Sequence, residues 1–492
     1  MFHEALRLGH RQGHAGLHRL NPMKTFLAID ISPERGKAFL GGVGPQGVAM
    51  EEVWTFPVRR VDVMGFGYWD FLAIYQNVVE ALRRVASRGV MPDSIGIDTF
   101  GFDFCCFGAD GRLLSNPFAF TSPMAEASPS KYYSCVQRTN LYKVTASQDL
   151  SCKTLFQLDA MQRMGCSSLA VVDKILFLAD SLAYLLTGEM ATEMTMAATS
   201  GLVNISTRGL EPKILMSIGL SPRHFGSFVE PTAIVGHLAD SVRRLSDLPA
   251  VPVVAVASHE VASSLVSLPS DEPEPAYIHL GNLATVGIET DSPVLNPGVE
   301  AANVSNAYGP GGKNEVQKVV MGLRLLQRCR DEWGADVSLS DEQDMVRAAK
   351  NLVSIVDPDS PSLTNAPQLM RALADECSAT SQRPPSTREE FARCVYSSMA
   401  NKYAEVLRSI LITTRKSAAS VFVCGPGAGN AQMCQCIADA LNLPVVAVAP
   451  ESAAAGNVLT QAMAAGEVRG MGEARRLMVH AGGLTEFRPG EW

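Results

Sequence analysis

The chain has 492 residues, too many for one hydrophobic core, so two or three domains are expected. Hydrophobic residues make up 47% and charged residues 19%, a soluble globular balance, while the net charge of −8 and a pI near 5.7 argue against nucleic acid as a main partner. No uninterrupted apolar run approaches the ~20 residues that span a bilayer, and eleven scattered cysteines read as free thiols of a reducing, cytoplasmic compartment.

Residues 1–22 are basic and hold four of the nine histidines, without the apolar stretch of a secretory signal. "MKTFLAIDI", from Met23, reads as the beginning of a domain, so 1–22 is read as an extension, disordered or ahead of the true start. The first domain is expected over 23–267. It opens with a strand, a polar turn and a second strand, "TFLAIDISPERGKAFLGGV". Asp30 ends the first strand, where a carboxylate could hold Mg²⁺ through water beside bound phosphates. Lys37 or Arg35 could meet phosphate charge; a hairpin with a solvated tip is the plain alternative.

Next, "SIGIDTFGFDF" sets Asp98 and Asp103 around Gly101 at a strand end. Paired carboxylates suit a polyol or a metal, and a capping Asp plus a loop Asp fits as well. "VPVVAVASHEVASSLVSL" is a β-branched run that stops at Ser258-His259-Glu260 and passes into a helical stretch, Val261 to Leu268. His-Glu is the start of a zinc-peptidase helix, but Ser263 stands where the second His is needed, so that class is excluded. A carboxylate at the carboxyl end of a strand in an α/β domain is placed for ligand chemistry. Glu260 is therefore either a general base or a residue complementing a helix N-terminus.

"LPSDEPEPA" breaks any helix or central strand, which makes 268–275 the expected linker. The second domain, expected over 276–470 with a tail at 471–492, repeats the opening plan in "AYIHLGNLATVGIET". Residues 356–387 are loop-rich, with one helical piece around Gln368 to Cys377. "SVFVC" then runs through Gly425 to Asn430, "GPGAGN", into the helix "AQMCQCIADAL". Glycines there would let a phosphate or nucleobase approach the backbone, although Pro426 removes one donor. Two similar α/β halves point to a cleft between domains as the ligand site.

Taken in order, these motifs resemble the FGGY carbohydrate kinases, and within that family the rhamnulokinase branch most. The pieces that carry the resemblance are "SIGIDTFGFDF", "VPVVAVASHEVAS", "AANVSN", "KVVMGLRLLQR" and "GNAQMCQCIADAL…ESAAAGN", over about residues 23 to 470. The resemblance implies two actin-like (ribonuclease H-like) domains flanking a cleft, with ATP and Mg²⁺ mainly on the second and a sugar such as a ketose or polyol on the first. It implies Glu260 as the catalytic base. It implies Gly101, Asp103, His259 and Val261 at the sugar, and Asp30 at the metal. The ATP positions are Ser32, Pro33, Glu34, Arg35, Gly36, Lys37, Gly281, Asn282, Gln327, Gly425, Gly427 and Asn430.

Several positions depart from the family pattern. Glu260 replaces its Asp, and Val261 the Thr after it. Ser32-Pro33-Glu34-Arg35 replaces a Gly-Ala-Ser-Ser turn, Asn282 a Thr, and Val319 a sugar-contacting Asn. A Tyr-Arg-Asp-Ser-Arg stretch becomes Phe120-Thr121-Ser122-Pro123-Met124. Clustered change in four loops motivates a second reading, a catalytically impaired relative that binds sugar or nucleotide as a sensor or partner. A third is a different ATP-using member of the actin-like superfamily.

Overall fold

Strands form where apolar runs are bounded by polar turns, and the two halves do this in the same order. The computed structural model describes residues 24–334, 337–349 and 351–490; the N-terminal extension with its four histidines lies outside them. The described chain divides into two compact units. One takes the residues up to Asp271, Thr290–Glu315 and Ser452–Gly482; the other takes Glu272–Glu289, Val316–Glu451 and the residues from Gly483 on.

In the first unit β1 (Phe26–Ile31) turns into β2 (Arg35–Gly44) and β3 (Gly47–Pro57), and β4 (Ser94–Thr99), β5 (Ile234–His237) and β6 (Pro252–Val254) follow. Their order across the sheet is β5-β6-β4-β1-β2-β3. β1 is parallel to β4 and β4 to β6, while β1–β2, β2–β3 and β5–β6 are antiparallel. Parallel central strands are covered on both faces, which is why every residue of β4, and every residue of β1 except Asp30, is buried.

One face of the sheet packs on a large core that includes Leu27, Ile29, Ile95, Phe104 and Phe177. The other face packs on helices Glu260–Val266 and Ser452–Ala464 through Ala28, Ala262, Val266, Ala455 and Val458. Those two helices lie in close contact at Gly456, where an added Cβ would stand 1.7 Å from the carbonyl oxygen of Ser263. The small residues of "ESAAAGN" are what this approach requires.

In the second unit β7 (Ala276–Leu280) turns into β8 (Leu283–Thr290); β9 (Asn314–Met321), β10 (Val421–Cys424), β11 (Val445–Ala447) and β12 (Thr485–Phe487) follow. They lie in the order β9-β8-β7-β10-β11-β12, with Ser305–Tyr308 as a seventh strand beside β9. β7 is antiparallel to β8 and parallel to β10, β10 is parallel to β11, and β11 is antiparallel to β12. The antiparallel opening pair, the two parallel pairs and the antiparallel last pair match those of the first unit. Beyond residue 470, Met471–Ala481 is a helix, followed by β12.

Candidate active site

Asp30 and Asp98 are register partners on the parallel strands β1 and β4. Their carboxyls lie together, and burial followed by the charge of Asp30 holds Asp98 far above the usual carboxylate range. The Nδ2 of Asn457, on helix Ser452–Ala464, donates to Asp98 Oδ1 at 2.7 Å. Gln461 fixes that amide by donating to Asn457 Oδ1 at 2.7 Å, and is itself held by Ser94, whose hydroxyl donates to Gln461 Oε1 at 2.7 Å. Gly96 makes room, since a Cβ there would stand 2.4 Å from Asn457 Oδ1.

Glu260 joins this group as a third carboxylate. It is the first residue of helix Glu260–Val266, with His259 as the N-cap. Glu260 is half-buried, and burial, then Asp30, then Glu34 push its carboxyl up to about 8. A base with such a value is near its most effective range at neutral to mildly alkaline pH. The helix observed begins one residue before the expected start, because Glu260 already has helical backbone.

Gly101 and His259 are brought together: a Cβ on Gly101 would lie 3.2 Å from His259 Nε2. Asp98 and Asp103 are not a pair, which corrects the carboxylate pair read around Gly101. Phe102 adopts a left-handed backbone (φ 78) and turns the chain away, so Asp103 enters the core instead. There Asp103 accepts from Trp69 Nε1 at 2.6 Å, Gln157 Nε2 at 2.8 Å and the Phe120 amide at 2.9 Å. Burial raises its carboxyl to about 7 against those three donors. Val261 is buried at the second helical position.

Of the first turn, Ser32, Pro33 and Glu34 form the tip, and Arg35, Gly36 and Lys37 already belong to β2. The tip is closed tightly: the Ser32 amide donates to Arg35 O at 2.9 Å, as does its hydroxyl. Gly36 is required because Phe56 fills the space of a side chain there, 2.1 Å from a Cβ position. Lys37, across from Asp30 in the β1–β2 register, pairs with Glu52 at 3.2 Å.

In the second unit Gly281 and Asn282 form the turn between β7 and β8. The Leu323 amide donates to Gly281 O at 2.9 Å and the Arg324 amide to Asn282 O at 3.2 Å, fastening the turn to helix Arg324–Trp333. Gly425 has φ 79, and a Cβ on it would stand 2.7 Å from His279 Nε2; one on Gly427 would stand 2.3 Å from Leu280 Cγ. The two loops therefore lie against each other, with His279 held neutral beneath them, its imidazole lowered to about 4 by burial. Gln327 is exposed on its helix and donates to Asp331 at 3.0 Å. Asn430 is buried and spent internally: it caps helix Ala431–Leu441 through the Met433 amide (3.1 Å) and donates to the Tyr396 hydroxyl (2.7 Å).

Sequence reading missed Asn457 as the partner of Asp98, 359 residues away. The only local signal was the run of small residues before it. It also missed Glu193 and Thr195, which reach the Ser258–His259 backbone. A Glu two residues before a Thr at a helix start is a weak cue for capping.

Among the described residues no three His, Cys, Asp or Glu side chains form a metal-holding group. Magnesium is commonly held by one or two carboxylates with water and phosphate oxygens. Asp30 and Asp98 fit that mode: their negative charge is crowded, and Asp98 Oδ2 is buried without a hydrogen-bond donor. No helix among the described residues is long and apolar enough to cross a membrane.

Two α/β units with repeated strand order, carboxylates at the strand ends of one and glycine turns at the strand ends of the other, define the class. The family models for the FGGY carbohydrate kinase N-terminal domain and C-terminal domain match residues 54–266 and 276–465. The chain belongs to the FGGY family of carbohydrate kinases. It is 36% identical over 466 residues to a rhamnulokinase of Bacteroides thetaiotaomicron, covering 95% of this chain and 96% of that one. A rhamnulokinase of Pectobacterium atrosepticum is 28% identical, covering 95% and 93%. Among solved structures, a ligand-bound xylulose kinase from Lactobacillus acidophilus matches with a TM-score of 0.78 at 16% identity, covering 95% of this chain and 94% of that one. At these identities the likeness shows the two-domain actin-like fold.

Proposed function

We propose that this protein transfers the γ-phosphate of ATP to a hydroxyl of a sugar, a ketose such as rhamnulose or a related polyol. The observation that carries the reading is the position of Glu260. It is half-buried at a helix start, directly after His259, whose ring lies against Gly101, and burial together with the charges of Asp30 and Glu34 keeps its carboxyl basic. Ionised Glu260 takes the proton of the sugar hydroxyl as that oxygen attacks the γ-phosphorus. The bond from phosphorus to the β–γ bridging oxygen breaks, and ADP leaves with the electron pair. Such transfer is mostly positioning and charge stabilisation.

In this reading Gly101 and His259 line the sugar. The glycine turns of the second unit, Gly281–Asn282 and Gly425–Gly427, receive the nucleotide. Asp30 and its register partner Asp98 would hold magnesium, which when bound would supply positive charge to the transferring phosphate. The 36% identical relative supports rhamnulose or a close analogue as the acceptor.

A second reading, an impaired relative that binds without transfer, draws on two observations. Lys37 is paired with Glu52, and Glu34 brings negative charge towards Glu260. The test is ADP release by purified protein with Mg-ATP and a panel of ketoses and polyols. At least one sugar is expected to drive release well above the Glu260→Ala variant. Equal rates on every sugar refute the kinase reading, and calorimetric titration with ATP then separates a binder from a bare scaffold.

A further inference from the structure

Glu193 is buried, ahead of the short helix Met194–Thr199. Its carboxylate accepts from four donors. Three are local: the Thr195 amide at 2.8 Å, the Thr195 hydroxyl at 2.7 Å and the Met196 amide at 2.9 Å. The fourth is the Ser258 amide at 3.2 Å, which comes from the turn that carries Glu260. The same Thr195 hydroxyl oxygen accepts from the His259 amide at 3.4 Å. On its other side the turn is tied to β4, where the Thr99 amide donates to Ser258 O at 2.8 Å. The far end of the short helix reaches the Gly101 loop. Thr199 Oγ1 accepts from the Phe102 amide at 3.4 Å, and its methyl is 3.3 Å from where a Cβ on Gly101 would be.

A helix cap needs at most the three local donors. The bonds to Ser258 and His259 are additional, and they end one and two residues before Glu260. We propose that Glu193 and Thr195 are positioning residues for Glu260. They hang the Ser258–Glu260 turn from helix Met194–Thr199, and Thr199 sets the same helix against the Gly101 loop. The helix thus keeps the base and the sugar-facing loop in one register. Burial raises the Glu193 carboxyl to about 7 while its four donors hold it down, so this carboxylate is retained at a cost that its contacts must offset. The inference rests on the kinase reading for its kinetic consequence but not for its geometry.

The test uses the full-length protein with Thr195→Val, Thr195→Ser and Glu193→Gln. Valine keeps the shape and removes the hydroxyl; serine keeps the hydroxyl. In Thr195→Val, amide exchange of the peptide containing Ser258 and His259 is expected to quicken at least about tenfold, with the melting temperature lowered by only a few degrees. Because a displaced base slows the chemical step, kcat is expected to fall about tenfold while the sugar KM stays within threefold. Thr195→Ser should restore both, and Glu193→Gln should repeat the pattern of Thr195→Val. Unchanged exchange at the turn in Thr195→Val, an equal loss in Thr195→Ser, or faster exchange with unaltered kcat would each overturn the proposal. If Glu193→Gln does not fold, the two Thr195 variants decide. If the wild-type protein phosphorylates no sugar, the kinase reading falls, and the exchange comparison still decides whether these residues hold the turn.

Discussion

Replacing Glu260 by Gln removes a titrating group and leaves its shape, so it isolates the energetic consequence of the raised carboxyl. Its ordinary value is 4.5 and its value in the folded protein about 8. Between those limits the folded protein retains a proton that the unfolded chain has lost. The stability that this group contributes is thus complete below about 4.5 and is lost as pH rises through about 8. The slope is about 1.4 kcal/mol per pH unit. From pH 5.5 to 7.5 the wild type should lose about 2.7 kcal/mol relative to Glu260→Gln, an upper bound because Glu260 is half-buried and solvent screens it. For the first unit, roughly 300 residues, this corresponds to about 4 °C. The assay is thermal unfolding of both ligand-free proteins at pH 5.5, 6.5, 7.5 and 8.5. The melting temperature of the variant should gain on the wild type with each step and level off above pH 8. A constant difference, or a gain by the wild type, refutes the raised Glu260 carboxyl that burial, Asp30 and Glu34 produce.

Removing the Glu34 charge with Glu34→Gln should move the acid limb of the kcat/KM–pH profile for the sugar downward, since that charge helps raise Glu260; an unmoved limb contradicts it. Gly456→Ala puts a Cβ 1.7 Å from Ser263 O, so the helix must withdraw, breaking the 2.7 Å Asn457–Asp98 bond. A loss of about 3 kcal/mol or more in chemical denaturation is expected. Gly425→Ala adds a side chain at φ 79 against His279, and calorimetry should find ATP affinity reduced at least about tenfold, worth roughly 1.4 kcal/mol. Asn430→Ala loses a cap and the Tyr396 bond; it should cost about 1–2 kcal/mol of stability and leave ATP affinity within about threefold.

What could be read from the sequence was whatever is local. The β1–turn–β2 opening and its repeat at β7 follow from apolar runs around a polar turn. Glu260 stood out because a β-branched run ends one turn before a helix. The helix Ala431–Leu441 begins where "GPGAGN" ends. Pairings across the chain were beyond such reading. Asp98 and Asp103 read as a pair because they flank Gly101, yet a left-handed Phe102 parts them and the strand order gives Asp98 to Asp30. Nothing near Asn457 says which carboxylate it will meet. Asn430 sits at a motif position, but its neighbours Tyr396 and Met433 claim its amide.

The helix Ser452–Ala464 has a consequence for how the protein is made. It belongs to the same unit as β1, although more than four hundred residues of chain separate them. During translation at about 5–20 residues per second, Asp98 leaves the ribosome about 20 to 70 seconds before Asn457 does, 359 residues later. Throughout that interval the face of the sheet that carries Phe26 and Ala28 lacks Val458 and Leu459. A nascent chain halted before Ser452 therefore exposes an unfinished apolar face. A chain cut between Asp271 and Glu272 would lack this helix and leave that face of the first unit's sheet uncovered.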